Sequence, residues 1–410
     1  MIKHVIIGAG AAGITAAKTI REQRPQDEIV LISKDRQVSS RCMLHKYISG
    51  ERNADALSFV PDDFFQVNRI NWLSGVTVTG IDVSDKKVIC DDGKAVFYDK
   101  LLIAAGAEST IPPIGALKTA GNVFGLRHLS DAQAIRETAR TAEKVVVIGA
   151  GLVGLDAAYA LLEMKKDVTV VEMTPQILAI NLDAHSAGAY QRRFEEAGCH
   201  FHLWRKVTGT EEDSQGNVIR VILDNGTILP CDLLVVAAGV RPAAGFLEGS
   251  GIIRERAVTV DPYLMTNYPE IYAAGDVAGL SGIWPNAMRQ GKTAALNMCG
   301  IVTVYEDRFA IKNTINFFGL VTLSVGAFEP APGDRVLQRE DHLTYQKVIL
   351  RDGCVIGVIL QGNISNSGFW QYLIKNAIPV EHLDKPIWKL SFADFCTLDE
   401  SGEYRWSITG

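Results

Sequence analysis

The chain has 410 residues, a formal net charge of −6, 47% hydrophobic residues and 21% charged residues. This length predicts two or three domains with full hydrophobic cores. The acidic balance argues against nucleic acid as a partner, and no apolar run is long enough to span a membrane. Seven scattered cysteines include no Cys-x-x-Cys or Cys-x4-Cys pair, which argues against a zinc site, an iron–sulfur cluster, a disulfide framework and a redox-active dithiol. We expect no metal and a reducing, cytoplasmic location.

The N-terminal segment has the pattern of a strand, a tight turn and a helix. A short apolar run leads into Gly8-x-Gly10-x-x-Gly13, and an Ala-rich stretch with helical composition follows. In a dinucleotide fingerprint, Gly8 permits the turn, Gly10 lets the backbone approach a pyrophosphate, and Gly13 lets the helix pack close to the strand. The helix N-terminus at Ala11 and Ala12 supplies unpaired N–H groups and a positive dipole end for the phosphates.

The end of the second predicted strand should bind the adenosine ribose. An acidic residue is expected directly after Ile29–Ile32, but the sequence continues Ser33-Lys34-Asp35. Either the carboxylate comes late, at Asp35, or Ser33 and Lys34 bind the ribose instead.

The same pattern occurs a second time. Another apolar run is followed by Gly149-x-Gly151-x-x-Gly154, and a helix-forming stretch continues through Leu152 and Val153. A repeat of whole βαβ domains is far more specific than either motif alone. The chain should therefore hold two dinucleotides, and the useful reason for holding two is to pass electrons between them.

The second strand of the second unit ends in a carboxylate. Glu172 lies about twenty residues after Gly154, where the fingerprint expects an acidic residue. A glutamate accepts hydrogen bonds from a free 2′-hydroxyl and repels a 2′-phosphate. NADH is therefore favoured over NADPH.

With these motifs in place, the chain resembles the FAD/NAD-linked pyridine nucleotide-disulfide oxidoreductases of the glutathione-reductase fold. The resemblance rests on the two fingerprints, on the similar junctions Ala104–Gly106 and Ala237–Gly239, and on the segment Thr266–Asp276. It implies an α/β chain with two Rossmann-like nucleotide-binding domains and a C-terminal α+β interface domain. The implied boundaries are 1–112 and 242–308 for a discontinuous FAD-binding domain, 113–241 for the NAD-binding domain and 309–410 for the interface domain.

The resemblance also implies the cofactor contacts. Asp276 would bind the ribityl hydroxyls, Arg41 the FAD phosphates or ribose, and Val78 the adenine. Trp284 and Asn286 would begin a helix whose N-terminus points at the flavin pyrimidine. The full set is Gly8, Gly10, Ala11, Ala12, Gly13, Ser33, Lys34, Asp35, Arg41, Val78, Ala105, Gly106, Gly275, Asp276, Trp284 and Asn286 for FAD, and Gly149, Gly151, Leu152, Val153, Gly154, Glu172 and Gly239 for NADH.

The window Ser40–Glu51 is similar to the Arg-Pro-x-Leu-x-Lys-Tyr segment of NADH–rubredoxin and related ferredoxin reductases. Lys46 would lie beside the flavin, where a cation stabilises the anionic reduced form. The family pairs this lysine with a glutamate after the second fingerprint, and Asp156 occupies that position here. The resemblance thus implies catalytic roles for Lys46 and Asp156, and electron flow from NADH through FAD to rubredoxin or a ferredoxin-type protein. We expect His45 to be a packing or surface residue.

Cys42 is compatible with more than one activity of the protein. It stands where rubredoxin reductases carry Pro, but its spacing to Tyr47 and Gly50 matches the single cysteine of NADH oxidases, peroxidases and coenzyme A–disulfide reductases. Beside a cation and a helix N-terminus, its thiol should have a lowered pKa. The alternatives are one of those activities using Cys42, or a flavin subunit of a larger electron-transfer complex. A homodimer and an association with an iron–sulfur partner both stay open.

Overall fold

The computed structural model describes residues 1–306, 312–381, 385–398, 400–401 and 403–406. These residues form two compact units: Met1–Met173 with Gly198–Asp307, and Thr174–Ala197 with Arg308–Gly410. The expected domain boundary at residues 308 and 309 lies outside the described residues. The α-helices are α1 (Ala11–Gln23), α2 (Leu44–Ile48), α3 (Phe64–Val67), α4 (Leu129–Thr138), α5 (Leu152–Glu163), α6 (Ala184–Glu196), α7 (Trp284–Met298) and α8 (Ser367–Asn376).

The first sheet of the first unit contains the N-terminal strand. Its five parallel strands are, in spatial order, Ile271–Ala273, Lys100–Ile103, Lys3–Ile7, Glu28–Ser33 and Ile70–Ser74. Val5 and Ile6 of the central strand are fully buried, as expected for a parallel strand covered on both faces. Because Ile271–Ala273 pairs with Lys100–Ile103, the chain returns to this sheet after leaving it for the second one.

The second sheet repeats this arrangement. Its five parallel strands are, in spatial order, Val123–Phe124, Leu233–Val236, Lys144–Ile148, Asp167–Val171 and His200–His202. In both sheets the strand before the glycine-rich turn is central and the strand after the first helix lies beside it. This correspondence confirms the predicted duplication of a Rossmann-like unit.

Smaller antiparallel sheets complete the first unit. They are Val78–Asp82 with Lys87–Cys90 and Ala95–Phe97, Val207–Glu212 with Val218–Leu223 and Ile228–Pro230, and Ala107–Ser109 with Val240–Pro242.

The second unit is built on an antiparallel sheet, which agrees with the predicted α+β class. Its strands are, in spatial order, Lys312–Phe317, Leu320–Gly326, Cys354–Gln361, Tyr345–Arg351 and Arg335–Glu340, and Cys396–Leu398 pairs separately with Tyr404–Trp406. Tyr345–Arg351 and Cys354–Gln361 form a hairpin with its turn at Asp352-Gly353. Phe369, Trp370 and Leu373 of α8 pack in its core.

The helix α6 belongs to this second unit, although the predicted boundaries place it in the NAD-binding domain. Its buried residues Ser186, Ala187, Tyr190 and Phe194 form one stripe. The Tyr190 hydroxyl lies 2.7 Å from the carbonyl oxygen of Leu320 and 2.9 Å from Thr322 Oγ1. The structure thus divides the chain differently, because the apolar face of α6 is covered by C-terminal strands.

A buried charge cluster fixes the N-terminus of α6. The Asp183 carboxylate caps the helix by accepting the Ser186 N–H at 3.0 Å, and it also accepts hydrogen bonds from the Tyr345 hydroxyl at 2.8 Å and Lys347 Nζ at 3.1 Å. Burial raises the pKa of Asp183, but these partners together lower it below its usual value. Among the described residues, no helix is long and apolar enough to cross a membrane.

Candidate active site

The first glycine loop has the geometry that the fingerprint requires. Gly8 has φ +109°, and a Cβ there would lie 2.2 Å from the carbonyl oxygen of Ala104. A Cβ on Gly13 would lie 1.9 Å from the carbonyl oxygen of Gly8, whereas a Cβ on Gly10 would meet nothing within 4 Å. Of these three glycines, only Gly10 therefore faces open space. It precedes the start of α1, and the first N–H groups of this helix have no partner within the helix.

A cavity of about 540 Å³ opens beside this loop. Gly10, Arg41 and Val78 are among the residues that line it. Its size, its glycine-lined end and its cations fit the adenosine and pyrophosphate part of FAD. The predicted FAD contacts in its lining are Gly8, Gly10, Ser33, Lys34, Asp35, Arg41, Val78 and Ala105. The predicted contacts outside that lining are Ala11, Ala12, Gly13, Gly106, Gly275, Asp276, Trp284 and Asn286.

At the ribose end of the cavity, the geometry favours Asp35 over Ser33. The Ser33 hydroxyl is already bonded within the protein, because it donates to the Asp35 carbonyl oxygen at 2.8 Å and accepts the Trp72 Nε1–H at 2.9 Å. Asp35 Oδ2 lies 3.3 Å from His128 Nδ1. Burial raises the pKa of Asp35, but the hydrogen bond and charge of His128 and the charges of Arg41 and Lys34 bring it below its usual value. The Asp35 carboxylate is therefore ionised at neutral pH and lines the cavity as a hydrogen-bond acceptor.

Arg127 is a site residue that the sequence analysis did not find. Its guanidinium forms an ion pair with the Asp276 carboxylate, and its Nε donates to the carbonyl oxygen of Ala107 at 3.1 Å. Arg41 lies beside it, and burial together with the charge of Arg127 lowers the pKa of Arg41 to about 10. Two neighbouring cations beside a glycine loop fit an anionic ligand such as a pyrophosphate.

The sequence signal for Arg127 and His128 is local. The carboxylate of Asp131 accepts the backbone N–H groups of both residues at 2.8 Å each, at the N-terminus of α4. A carboxylate at the third position of a helix is a recognisable capping pattern. It fixes the two side chains that contact Asp276 and Asp35.

The second glycine loop repeats the geometry of the first. A Cβ on Gly149 would lie 2.5 Å from the Ala237 carbonyl oxygen and one on Gly154 would lie 1.9 Å from that of Gly149, while a Cβ on Gly151 would meet nothing within 4 Å. The Glu172 carboxylate accepts the Ala150 N–H at 2.7 Å, which places it over the loop. This glycine loop, together with the Glu172 carboxylate, fits a second dinucleotide.

The other predicted NADH contacts lie around this loop. Leu152 and Val153 form the first turn of α5, where Val153 is exposed. Gly239 has φ +98°, with open space where a Cβ would stand. The strand that Gly239 follows, Leu233–Val236, lies next to Lys144–Ile148. All three positions therefore belong to the same edge of the second sheet.

The predicted pairing of Lys46 with Asp156 is wrong. Lys46 Nζ contacts both carboxylate oxygens of Glu51, at 2.6 and 2.7 Å, whereas Asp156 Oδ1 lies 3.6 Å from Nδ1 of His45. Glu51 lies just beyond α2 and reaches Lys46 without spanning two helices. Asp156 is one methylene shorter than the family's glutamate and faces His45 across the α2–α5 interface, which we define as Leu44–Ile48 against Leu152–Glu163.

This interface shifts both of its titratable groups. Burial raises the pKa of Asp156 to about 7. Burial, together with the charge of Lys46, lowers the pKa of His45 to about 4. His45 is therefore no ordinary surface residue, and it is neutral at pH 7.

Cys42 differs from its prediction as well. The residue as a whole is exposed. Its thiol group is nevertheless partly removed from water by the surrounding protein, and this burial raises the thiol pKa. The negative charge of Asp156 raises that pKa further. The nearby guanidiniums of Arg127 and Arg41 act in the opposite direction and are outweighed. The expected lowering of the pKa of Cys42 does not occur.

The first half of α7 packs against Phe59, Gly275 and the start of α1. Trp284 packs edge-to-face on Phe59 with ring centroids 4.8 Å apart. The Gly275 N–H donates to Gln290 Oε1 at 2.7 Å. A Cβ on Gly291 would lie 2.1 Å from the Ala12 carbonyl oxygen, so α7 packs closely on the start of α1.

Residues 2–291 match the family model of the pyridine nucleotide-disulphide oxidoreductases. The chain belongs to this family. Residues 312–378 match the rubredoxin NAD+ reductase C-terminal domain. The family membership makes the protein an FAD-dependent NADH oxidoreductase, in agreement with the two loops described above.

Relatives of known identity cover nearly the whole chain. It is 31% identical over 386 residues to the epsilon subunit of NADH-dependent phenylglyoxylate dehydrogenase from Aromatoleum evansii, and the match spans 91% of each chain. It is 29% identical over 313 residues to putidaredoxin reductase from Pseudomonas putida, which spans 73% of this chain and 74% of that protein. The solved covalent complex of putidaredoxin reductase with putidaredoxin superposes with a TM-score of 0.82 at 26% identity, over 93% of this chain and 94% of that chain.

Proposed function

We propose that the protein takes electrons from NADH and delivers them singly to a small iron protein of the rubredoxin or ferredoxin type. The observation that carries this proposal is the match of residues 312–378 to the C-terminal domain of rubredoxin NAD+ reductase. The raised pKa of Cys42 supports it, because a thiol that stays protonated is a poor nucleophile for the alternative cysteine chemistry.

The residues of the first loop would hold FAD. Gly10 admits the pyrophosphate, Arg41 and Arg127 neutralise its charge, and Asp35 accepts hydrogen bonds from the ribose. When bound, FAD accepts a hydride from NADH and releases the electrons one at a time. Asp276, held by Arg127, is positioned for the ribityl hydroxyls.

The residues of the second loop would hold NADH. The open space at Gly151 admits its pyrophosphate, and Glu172 is positioned for the adenosine ribose. The N-terminus of α7 would supply positive charge on the flavin side, where reduction adds negative charge, whereas the charge of Lys46 is paired with Glu51. We also propose a cytoplasmic location, since the scattered cysteines suit a reducing compartment, and a homodimer as the assembly to be tested first.

The test is a comparison of electron acceptors. The FAD-loaded protein is mixed with NADH and, in turn, with rubredoxin, a [2Fe–2S] ferredoxin, oxygen, hydrogen peroxide and coenzyme A disulfide. We expect an iron protein to be reduced at least about tenfold faster than any other acceptor, and Cys42→Ser to leave that rate unchanged. Fast turnover of peroxide or a disulfide that Cys42→Ser abolishes would contradict the proposal.

A second candidate is a flavin subunit of a larger NADH-dependent complex. The observation that favours it is the match over 91% of both chains to a protein that is itself a dehydrogenase subunit. Under this alternative the isolated chain reduces a dye with NADH but reduces every iron protein poorly. Co-purification from the native cell of a stoichiometric iron–sulfur protein would then identify the complex.

A further inference from the structure

We propose that His45 and Asp156 form a proton-holding pair at the α2–α5 interface, which takes up the proton released in each turnover and returns it to solvent. Asp156 holds the proton, and His45 is a positioning residue for its carboxyl group. The inference rests on the proposed function, because only transfer to one-electron acceptors leaves a proton behind.

The proton balance follows from the overall reaction. One NADH is oxidised to NAD+, two one-electron acceptors are reduced, and one proton remains. A carboxylate that forms an O–H bond with this proton and then loses the proton to water completes the cycle without another reactant. The group must be able to hold a proton near neutral pH and must reach solvent.

The location of the pair suits this role. The helix α2 begins after Arg41 and Cys42, and Arg41 lines the FAD cavity. The helix α5 begins at the second glycine loop, where NADH would bind. Asp156 is close enough to Cys42 for its charge to raise the pKa of that thiol. The charges of Arg127 and Asp276 also act on the pKa of Cys42. The pair is therefore carried by two helices that each follow a nucleotide-binding segment, Arg41 before α2 and the second glycine loop before α5.

One ring nitrogen of His45 has an unused capacity for a hydrogen bond as long as the pair shares no proton. Its Nδ1 is buried and makes no hydrogen bond with the described residues, although Asp156 Oδ1 lies only 3.6 Å away. A neutral imidazole can donate to an ionised carboxylate or accept from a protonated one. The His45 side chain is 17% exposed and that of Asp156 is 27% exposed, so solvent reaches the pair.

The surrounding charges leave Asp156 without a strong cation. Lys46 is bonded to Glu51 instead. Other charged and titratable groups surround the pair. Arg41 and Cys42 precede α2 and Arg52 follows it. The helix α4 carries Asp131, Arg136 and Glu137, and α5 carries Tyr159 and Glu163. With no lysine or arginine of the described residues bonded to it, Asp156 keeps the raised pKa of about 7 that burial gives it, so it can gain and lose a proton at neutral pH.

The first test measures the proton on Asp156 without any electron acceptor. Cys42 in the FAD-loaded protein is alkylated with iodoacetamide from pH 5.5 to 9, and mass spectrometry separates its peptide from those of the other cysteines. In Asp156→Asn no negative charge develops beside the thiol. We expect alkylation of Asp156→Asn to equal that of the native protein below pH 6 and to be about threefold faster at pH 8, because loss of one nearby charge lowers the thiol pKa by about half a unit.

The matched control is Glu163→Gln, two turns further along the same helix, which should leave the alkylation profile unchanged. His45→Gln should keep the inflection near neutral pH, because burial of the Asp156 carboxyl group is what raises its pKa. Identical profiles for Asp156→Asn and the native protein would overturn the inference. So would a difference that persists below pH 6, because Asp156 would then be ionised throughout.

The second test asks whether the proton is used in turnover. The rate of iron-protein reduction is followed against pH in the native protein and in Asp156→Asn. We expect an inflection near pH 7 that disappears in Asp156→Asn but is retained in Glu163→Gln. A native inflection that survives in Asp156→Asn would overturn the role in turnover. Failure of any iron protein to accept electrons would instead refute the proposed function, and the alkylation result would still stand.

Discussion

At the scale of single residues, the glycines of each loop divide into two kinds. Gly8 and Gly13 are surrounded by backbone, and a side chain at either would collide with a carbonyl oxygen. Gly10 and its counterpart Gly151 face open space in ordinary backbone conformations. The first kind maintains the fold of the loop, and the second keeps room for the ligand.

This distinction predicts the effect of Gly151→Ala. The methyl group meets no protein atom within 4 Å, so the melting temperature should stay within about 1 °C and the FAD content should not change. It occupies the space through which a pyrophosphate approaches, and the Kd for NADH should rise about tenfold or more, equivalent to about 1.4 kcal/mol. Fluorescence titration with NADH measures this change. Gly368→Ala, also in open space, is the control, and an unchanged Kd in Gly151→Ala contradicts the assignment.

A second residue-scale prediction concerns the choice between NADH and NADPH. Glu172→Gln keeps an oxygen to accept the Ala150 N–H but removes the negative charge that repels a 2′-phosphate. We expect the ratio of kcat/KM for NADH over NADPH to fall about tenfold, mainly through a lower KM for NADPH. The measurement is steady-state kinetics with a dye as acceptor.

The control for this prediction is Asp167→Asn, at the other end of the same strand, which should keep the native ratio. A Glu172→Gln protein as selective as the native one would show that another group discriminates between the two nucleotides.

The limits of prediction from sequence are clearest at this scale. Glycine positions could be predicted because the spacing of the fingerprint marks them, although the backbone that excludes a side chain at Gly8 lies at Ala104, which is remote in the sequence. The partner of Lys46 could not, because the sequence offers two carboxylates, Glu51 nearby and Asp156 after the second fingerprint, and only the packing of α2 on α5 decides between them. Arg127 was missed because its role comes from Asp276, which is remote in the sequence.

At the scale of elements, the two parallel sheets and the C-terminal hairpin could be predicted from apolar runs and turn residues. The placement of α6 could not. Its amphipathic stripe shows that one face is buried but carries no information about which strands cover it. The contacts of Tyr190 with Leu320 and Thr322 assign it to the C-terminal sheet.

The cluster at the start of α6 predicts a measurable coupling. Asp183 and Lys347 are each 5% exposed, so Lys347→Met leaves a buried carboxylate without its cation and should cost about 3 kcal/mol or more of unfolding free energy. Asp183→Asn keeps an oxygen for the helix cap but leaves the ammonium group unpaired, with a similar cost. The double variant should be less destabilised than the sum of the two single variants, because it removes both charges.

Chemical denaturation of all four proteins measures that coupling. Glu340→Gln, in an exposed pair with His185, is the control and should change stability little. Strictly additive effects would show that Asp183 and Lys347 do not interact.

At the scale of the whole molecule, the compact units do not follow the order of the chain. Residues 2–291 match one family model and 312–378 another, yet Thr174–Ala197 groups with the C-terminal residues. A protein ending at residue 306 should therefore expose Tyr190 and Phe194 and aggregate. Size-exclusion chromatography tests this outcome.

The matched variant adds Phe194→Lys to the shortened protein. It should raise the monomer fraction of the shortened protein several-fold, while the same substitution in the full chain should lower its melting temperature, because Phe194 packs on Phe317 and Phe318 there. A shortened protein that is monomeric without the extra substitution would contradict the assignment of α6 to the second unit.

The position of α6 also bears on synthesis and evolution. The ribosome completes this helix well before it makes the strand that begins at Lys312, so the nascent chain carries an unprotected apolar face while the nucleotide-binding sheets are already able to form. Neither gene fusion nor simple loss of an end could add or remove the C-terminal unit cleanly.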